Sequence, residues 1–310
     1  MLVALTGASG FIGAKTAESL KSRGHRVRAL VRPTSRRDHV ARFIDEWREG
    51  DAADEQALAG LVAGAEAVIH AAADWDALDR GPAPNFHRNV LASLLLLEQS
   101  RLAGVEQFLF VSSVAVYDQI PDSAGGRITE ETPAWPGSLY GAYKAAVEPH
   151  LKAYHRTYGL NTSAWRPAAV YGIDPVLPHS QWFDLIQTAR QGGHVSTDKG
   201  GKITHVQDVA DALASAVGDP TTAGEFYNLV DTYMYWQTAA EFAKELTGSA
   251  ATIEDRRGQG PKNQFDTAKA QSFFARHNNF TALRRGPQGV RDYVADLLRS
   301  PAMAGRRPHA

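Results

Sequence analysis

The sequence predicts an α/β protein built on a doubly wound parallel sheet, followed by a smaller C-terminal lobe. Short apolar runs alternate with longer helical stretches through the first half of the chain. A glycine turn, Thr6-Gly7-Ala8-Ser9-Gly10-Phe11-Ile12-Gly13, follows the first apolar run directly. After about Val170 the alternation is broken by Pro175, Pro178, Gly192-Gly193 and Gly200-Gly201. A βαβα order implies a parallel sheet with helices on both faces, and ligands at the carboxyl ends of its strands.

Leu2 to Leu5 is a buried strand, and Ala14 to Ser22 is helical. Between them, glycines admit φ values that other residues resist and let a backbone approach a phosphate. The helix start adds free N–H groups and partial positive charge. The spacing Gly-x-x-Gly-x-x-Gly differs from the usual dinucleotide fingerprint, so a plain strand–helix turn stays open as the alternative. Val27 to Val31 is the second strand, and Ala65 to His70 is another, leading into Ala71-Ala72-Ala73. A helix is expected over Asn89 to Gly104, a strand over Phe108 to Ser112, a helix over Tyr140 to Tyr158 and a strand over Thr162 to Arg166. The nucleotide-binding part is expected over 1–170, rejoined by about 204–230, with Glu225 to Val230 returning to the sheet. The substrate lobe takes most of 171–310, with a loose tail from about 300.

The chain has 310 residues, enough for one large domain or one domain with a lobe. A net charge of −1 points to neither nucleic acid nor a membrane surface. The absence of cysteine excludes disulfides and thiol catalysis and fits a reducing cytoplasm, the expected location. No apolar run approaches the ~20 residues of a membrane span. The histidines show no metal-ligand spacing, so no metal is expected.

Two further motifs carry chemistry. In Tyr140-Gly141-Ala142-Tyr143-Lys144, Tyr140 and Lys144 are four apart and share a helix face. A nearby ammonium lowers a phenol's pKa and suits it to acid–base work. A surface lysine beside a core tyrosine would give the same spacing. Ser112-Ser113 ends a buried strand, where a hydroxyl can donate to a substrate oxygen; an ordinary serine turn would look the same.

In this order and spacing, the chain resembles the extended short-chain dehydrogenase/reductase family, also called NAD-dependent epimerase/dehydratase, from Met1 to about Leu298. Supporting segments are Gly50-Asp51, His70-Ala71-Ala72-Ala73, Asn89-Val90, Glu148, Arg166-Pro167-Ala168-Ala169-Val170-Tyr171-Gly172, His205-Val206-Gln207-Asp208-Val209 and Phe265-Asp266-Thr267-Ala268-Lys269. The resemblance implies a Rossmann-type sheet and a catalytic set of Ser113, Tyr140 and Lys144. Asn89 would support a water relay to Lys144, with a helix N-cap as its alternative role. Gly7, Ser9, Gly10, Phe11, Ile12 and Gly13 would cradle the pyrophosphate. Asp51 would bond the adenine amine beside Ala52, and Ala71, Ala72, Ala73, Pro167, Ala169 and Val170 would complete the cofactor site.

Relatives that use NAD carry a carboxylate after the second strand to bond the ribose hydroxyls. Here Val31 and Arg32 stand there, with Arg36 and Arg37 beyond. Arginine grips phosphate in a bidentate way, so NADP(H) is favoured over NAD(H); a solvated basic turn in an NAD enzyme is the alternative. Sugar dehydratases of the family carry Asp-Glu after the catalytic hydroxyl residue; Val114 and Ala115 stand there and move no proton. Ala169 and Gly201 replace the Asn and Arg of many epimerases. Trp75, Ser113, Val114 and Trp182 fall where the substrate pocket is expected, though aromatic residues there would also pack a core. The expected activity is carbonyl–alcohol interconversion on a small molecule. A sugar epimerase with tightly held NAD and a non-catalytic NADP sensor are the rivals. The resemblance also allows a homodimer.

Overall fold

The computed structural model describes residues 1–121, 126–258, 260, 261, 263–300 and 303. β1 (Leu2–Thr6) is apolar and nearly all buried, and it hands the chain through the glycine turn to α1 (Phe11–Ser22). β2 (Arg26–Val31) pairs with β1, and β3 (Glu46–Glu49) pairs with β2. α2 (Glu55–Val62) starts at Asp54, whose carboxylate accepts from the Gln56 N–H as an N-cap. β4 (Ala67–His70) pairs with the other side of β1. Next, α3 (Trp75–Asp79) and α4 (Pro82–Asn85) lead into a π-helical stretch over Phe86–Leu91, which runs on as α5 (Ala92–Leu102). Asn89 therefore lies inside a continuous helical run and caps nothing, contrary to the expected helix start there.

β5 (Gln107–Val111) is wholly buried, and β6 (Arg127–Ile128) is a short bridge strand. α6 (Leu139–Tyr158) is capped by Ser138 on the Gly141 N–H and closed by Gly159 at φ 71°. β7 (Asn161–Pro167) and β8 (Ala169–Tyr171) follow, then α7 (Phe183–Arg190), β9 (His194–Ser196), β10 (Gly200–His205) and α8 (Val206–Ala216). β11 (Phe226–Leu229), β12 (Thr232–Tyr235), α9 (Gln237–Thr247), β13 (Thr252–Glu254), β14 (Gln264–Phe265), α10 (Ala268–Arg276) and α11 (Gly286–Arg299) complete the described chain.

The main sheet has seven strands in the order β11-β7-β5-β4-β1-β2-β3, all parallel. Strand order reverses between β1 and β4, which opens a crevice at their carboxyl ends. The period-2 alternation of β1 feeds both faces: Val3 and Leu5 pack with Leu20, Leu213 and Phe273, while Ala4 packs with Leu58, Leu97 and Val147. The returning segment divides its work. β10 joins β8 and β12 in a small sheet, α8 packs on α1, and β11 pairs with β7.

The C-terminal lobe has its own core of Tyr171, Ile186, Ala239, Tyr293 and Leu297. Trp182 belongs to it, 6% exposed and edge-on to Tyr293. The expected pocket role for Trp182 is thus corrected: its ring fills the lobe's interior. The tail is also not loose throughout, because Met303 is buried and its carbonyl accepts from Arg190. The expected looseness of 301, 302 and 304–310 falls outside the described residues. Among the described residues, no helix is long and apolar enough to cross a membrane, and no cluster of potential metal ligands is present.

Candidate active site

Gly7 sits at φ +76°, where an added Cβ would stand 2.8 Å from the Ala71 carbonyl carbon and the Ala72 nitrogen. A Cβ on Gly13 would reach to 2.0 Å from the Gly7 oxygen. These two glycines let α1 and the end of β4 close on the turn. Gly10 differs, with an ordinary φ of −89°. It caps α1 with no side chain, so the first-turn N–H groups of the helix stay open to an anion.

From this turn a cavity of about 450 Å³ runs along the switch point. Gly7, Ser9, Gly10, Phe11, Ile12 and Gly13 line it, with Ala71, Ala72 and Ala73 from the segment after β4. Tyr140, Lys144 and Val111 stand on its β5 side; Arg32, Asp51 and Ala52 stand on its β2–β3 side. Ser113, Pro167, Ala169, Val170 and Arg36 do not line it, and Arg36 is exposed. Val114 does not either; it packs against the Val116–Tyr117 cluster.

On the β5 side, neighbouring serines have separate work. Ser112 is fully buried and donates to the Glu148 carboxylate at 2.7 Å. Glu148 in turn takes two bonds of 2.8 Å from Arg166. Ser113 caps the turn after β5 by accepting from the Ala115 N–H at 3.1 Å, and its hydroxyl lies within hydrogen-bonding reach of Tyr140. The Lys144 ammonium donates to the Val111 carbonyl at 2.7 Å and to the Tyr143 hydroxyl at 3.3 Å. Burial pushes Lys144 down to about 7, with Glu148 opposing. Burial pushes Tyr140 up to about 12, against the Ser113 hydrogen bond. The expected lowering of the Tyr140 pKa is therefore overturned in this structure: desolvation raises it, and Lys144 is not among the groups that shift it. Trp75, 60% exposed, stacks on Tyr140 with centroids 4.9 Å apart.

Asn89 is buried and tied to its neighbours. Its amide oxygen accepts from the Asp74 N–H at 2.7 Å. Its nitrogen donates to the Asp74 carbonyl and the Asn85 side chain, each at 3.0 Å. One amide proton thus staples the segment that carries Trp75 and the other ties Asn89 to α4.

On the β2–β3 side, sequence reasoning missed Arg88. It holds both Asp51 oxygens at 2.7 Å and reaches Asp74 at 3.1 Å. Its hydrogen bonds hold Asp51 below the usual carboxylate range. Arg88 sits one residue before Asn89, but nothing in the local pattern ties it to a loop thirty-odd positions earlier. Val31 ends β2 with no carboxylate. Arg37 is taken by Glu49 at 2.6 Å, whereas exposed Arg32 lines the cavity and pairs with no described residue.

The sheet order, the glycine turn at the switch point and the residues gathered there define an enzyme of the extended short-chain dehydrogenase/reductase class. The chain belongs to the NAD-dependent epimerase/dehydratase family, whose family model matches residues 3–229. A UDP-glucose 4-epimerase of Mycolicibacterium smegmatis is 33% identical over 247 residues, covering 74% of this chain and 77% of that protein. A dTDP-glucose 4,6-dehydratase of Mycobacterium tuberculosis is 33% identical over 182 residues, 56% of this chain. This match spans only about half of that relative, 54% of its length. A UDP-glucose 4-epimerase structure from Thermus thermophilus, in complex with NAD, superposes with TM-score 0.76 at 26% identity, covering 97% of this chain and 100% of that one. A Bacillus anthracis dTDP-glucose 4,6-dehydratase structure, at 21% identity and TM-score 0.80, covers 98% of each chain and supports the fold.

Proposed function

We propose that the protein is an oxidoreductase that interconverts a carbonyl and an alcohol, with NADP(H) favoured over NAD(H). The observation that carries this reading is that Tyr140 and Lys144 line the same cavity as a glycine cradle, with Ser113 at the end of β5 next to it. A Cβ on Gly10, which lines the cavity, would meet no protein atom within 4 Å except the Gly7 oxygen at 3.3 Å, and the open first-turn N–H groups of α1 suit a pyrophosphate, so the residues fit a dinucleotide. When bound, the nicotinamide would supply or take up the hydride.

The chain's own residues do the rest. At neutral pH Tyr140 is protonated, the form that donates to a carbonyl oxygen as reduction begins. Ser113 orients that oxygen by donating to it. Lys144 would hold the ribose hydroxyls of a bound dinucleotide and would stabilise the phenolate left after proton transfer. In the oxidising direction, that phenolate takes the proton back. Trp75 stacks on Tyr140 and offers a flat apolar surface to a ring-bearing substrate. Arg32 would grip a 2′-phosphate, and Val31 offers no carboxylate to repel it.

The epimerase relatives favour a second reading, a sugar 4-epimerase holding NAD through each turnover. Calorimetric titration with NADPH and NADH, followed by a carbonyl screen read by nicotinamide absorbance, separates the two. Exchangeable NADPH and net oxidation support the reductase. Retained NAD with sugar interconversion and no net absorbance change overturns it. Binding without turnover of any kind would favour a sensor. A homodimer is the assembly we propose, tested by its mass in solution.

A further inference from the structure

The Tyr140–Lys144 pair contains a second tyrosine, and its hydroxyl is the only side-chain hydrogen-bond partner of the Lys144 ammonium among the described residues. Tyr143 is 1% exposed, with its ring edge-on to Phe110 at 6.2 Å and to Tyr140 at 6.3 Å. Behind it runs a buried chain of polar groups whose donor directions follow from the Ser93 bond. Ser93 gives its proton to the Asn89 carbonyl at 2.6 Å, so it accepts from its other neighbours. His70 therefore donates from Nε2 to Ser93 at 2.8 Å and accepts at Nδ1 from the Thr6 hydroxyl at 2.7 Å. The Thr6 oxygen accepts from the Ala72 N–H at 3.3 Å. Lys144 donates to the Tyr143 oxygen at 3.3 Å, and Tyr143 hands its own proton toward the Ala72 carbonyl at 3.4 Å or Ser93 at 3.5 Å. Burial pushes His70 down to about 3, which keeps the ring neutral in this role.

We propose that Tyr143 is a positioning residue for Lys144: its hydroxyl holds the ammonium from the protein side and ties it, through Ser93 and His70, to Thr6 at the root of the glycine turn. The Asn89 side chain bonds Asp74 and Asn85, and its carbonyl serves this chain by accepting from Ser93. The proposal rests on the reading that Lys144 acts in hydride transfer. The charged and titratable groups around Lys144 come from three elements. Tyr140, Tyr143 and Glu148 share its helix, His70 faces it from β4, and Arg166 of β7 is held on Glu148. β5 adds the Phe110 ring face and the Val111 carbonyl. Removing the Tyr143 oxygen takes an acceptor from the ammonium and so disfavours its charged form.

The test is the titration of the Lys144 Nζ by NMR in lysine-labelled full-length protein, with the signal assigned by its loss in Lys144→Met. Tyr143→Phe keeps the ring packing and should lower the midpoint by about one pH unit, a tenfold loss of proton affinity. The alkaline limb of the kcat profile should move to lower pH by the same amount, while NADPH affinity at low pH changes less than about twofold. Should Tyr143→Phe fail to fold, Ser93→Ala should shift the Lys144 midpoint in the same direction by less. An unmoved Lys144 midpoint in whichever variant folds overturns the proposal. A shifted midpoint in a protein that reduces no carbonyl supports the positioning role and removes the proposed function alone.

Discussion

The two sides of the cavity are built on opposite principles. On the β5 side, Lys144, Tyr143, His70, Ser112, Glu148 and Arg166 are all 4% exposed or less. Burial is the largest influence on Lys144, His70 and Tyr143. Each of these groups has a hydrogen-bonding partner, because a buried polar group without one costs ~1–3 kcal/mol. On the β2–β3 side, Asp51 and Arg88 keep 38% and 31% of their side chains exposed, and Arg32 is exposed outright. There the leading influence on Asp51 is its ion-pair partner. One side is fixed by bonds with no solvent alternative; the other is held by charge that water and salt share. Lesions on the first should reach chemistry and folding, and lesions on the second should reach cofactor choice in a salt-dependent way.

The largest effect belongs to Tyr140→Phe. Turnover should fall by roughly 10²-fold or more, the scale of lost general acid–base catalysis, with cofactor affinity retained. Ser113→Ala should also lower turnover. Ser112→Ala should instead lower the unfolding free energy by ~1–3 kcal/mol, because Glu148 loses a buried donor. Steady-state rates and urea melts on the three variants separate the roles. A Ser112→Ala enzyme of full stability but low turnover would merge the functions assigned here to the two serines.

His70 gives the buried side its pH signature. Its folded pKa is held at about 3, while the unfolded chain binds a proton near the ordinary value of 6.5. The neutral ring's full contribution is therefore present above pH 6.5. It falls as pH drops through that value toward about 3, by up to ~1.4 kcal/mol per pH unit for the one proton. Urea melts between neutral and mildly acid pH should show this slope, and His70→Gln should flatten it by one proton at any salt concentration. An identical slope in the variant would mean that other histidines, such as His205, carry the acid sensitivity.

Arg32→Ala tests the open side directly. NADPH binding should weaken by about 10- to 30-fold, or roughly 1.5–2 kcal/mol, because the guanidinium is solvent-exposed. NADH affinity should hardly change, and the NADPH loss should shrink as salt is added. Equal losses for both nucleotides, or a wild type that prefers NADH, would overturn the NADP preference and strengthen the epimerase reading.

What the sequence made legible follows the same division. The sheet, the glycine turn and the Tyr140/Lys144 spacing are local patterns: apolar period, glycine position and helix repeat each lie within a few residues. The roles of Arg88, Asn89 and Trp182 depend on contacts made after folding. Arg88 meets Asp51 across 37 positions, and Asn89 folds back 15 positions to Asp74. Trp182 is as apolar as Trp75, and only packing decides that one fills a core while the other covers Tyr140. The direction of the Tyr140 shift was illegible for a similar reason: spacing places a cation nearby, but burial is a property of the whole fold.

The smallest effect, and the sharpest check on the contrast, comes from Arg88→Ala. Hydrogen bonds from Arg88 are the first cause of the lowered Asp51 pKa. At Asp74, burial raises the pKa, but the Ala77 N–H and Arg88 together outweigh it. Both carboxylates are thus depressed in the folded state. Their stabilisation is present above the unfolded value of ~4 and is lost as pH falls through the lower folded values. With partners about a third exposed, the variant should lose only ~0.5–1 kcal/mol at neutral pH. That deficit should shrink in high salt and close below about pH 4. Urea melts at two salt concentrations and at neutral and acid pH measure it. A loss above ~2 kcal/mol that ignores salt would mean that Arg88 behaves like the buried network opposite, and the two sides of the cavity would then be built alike.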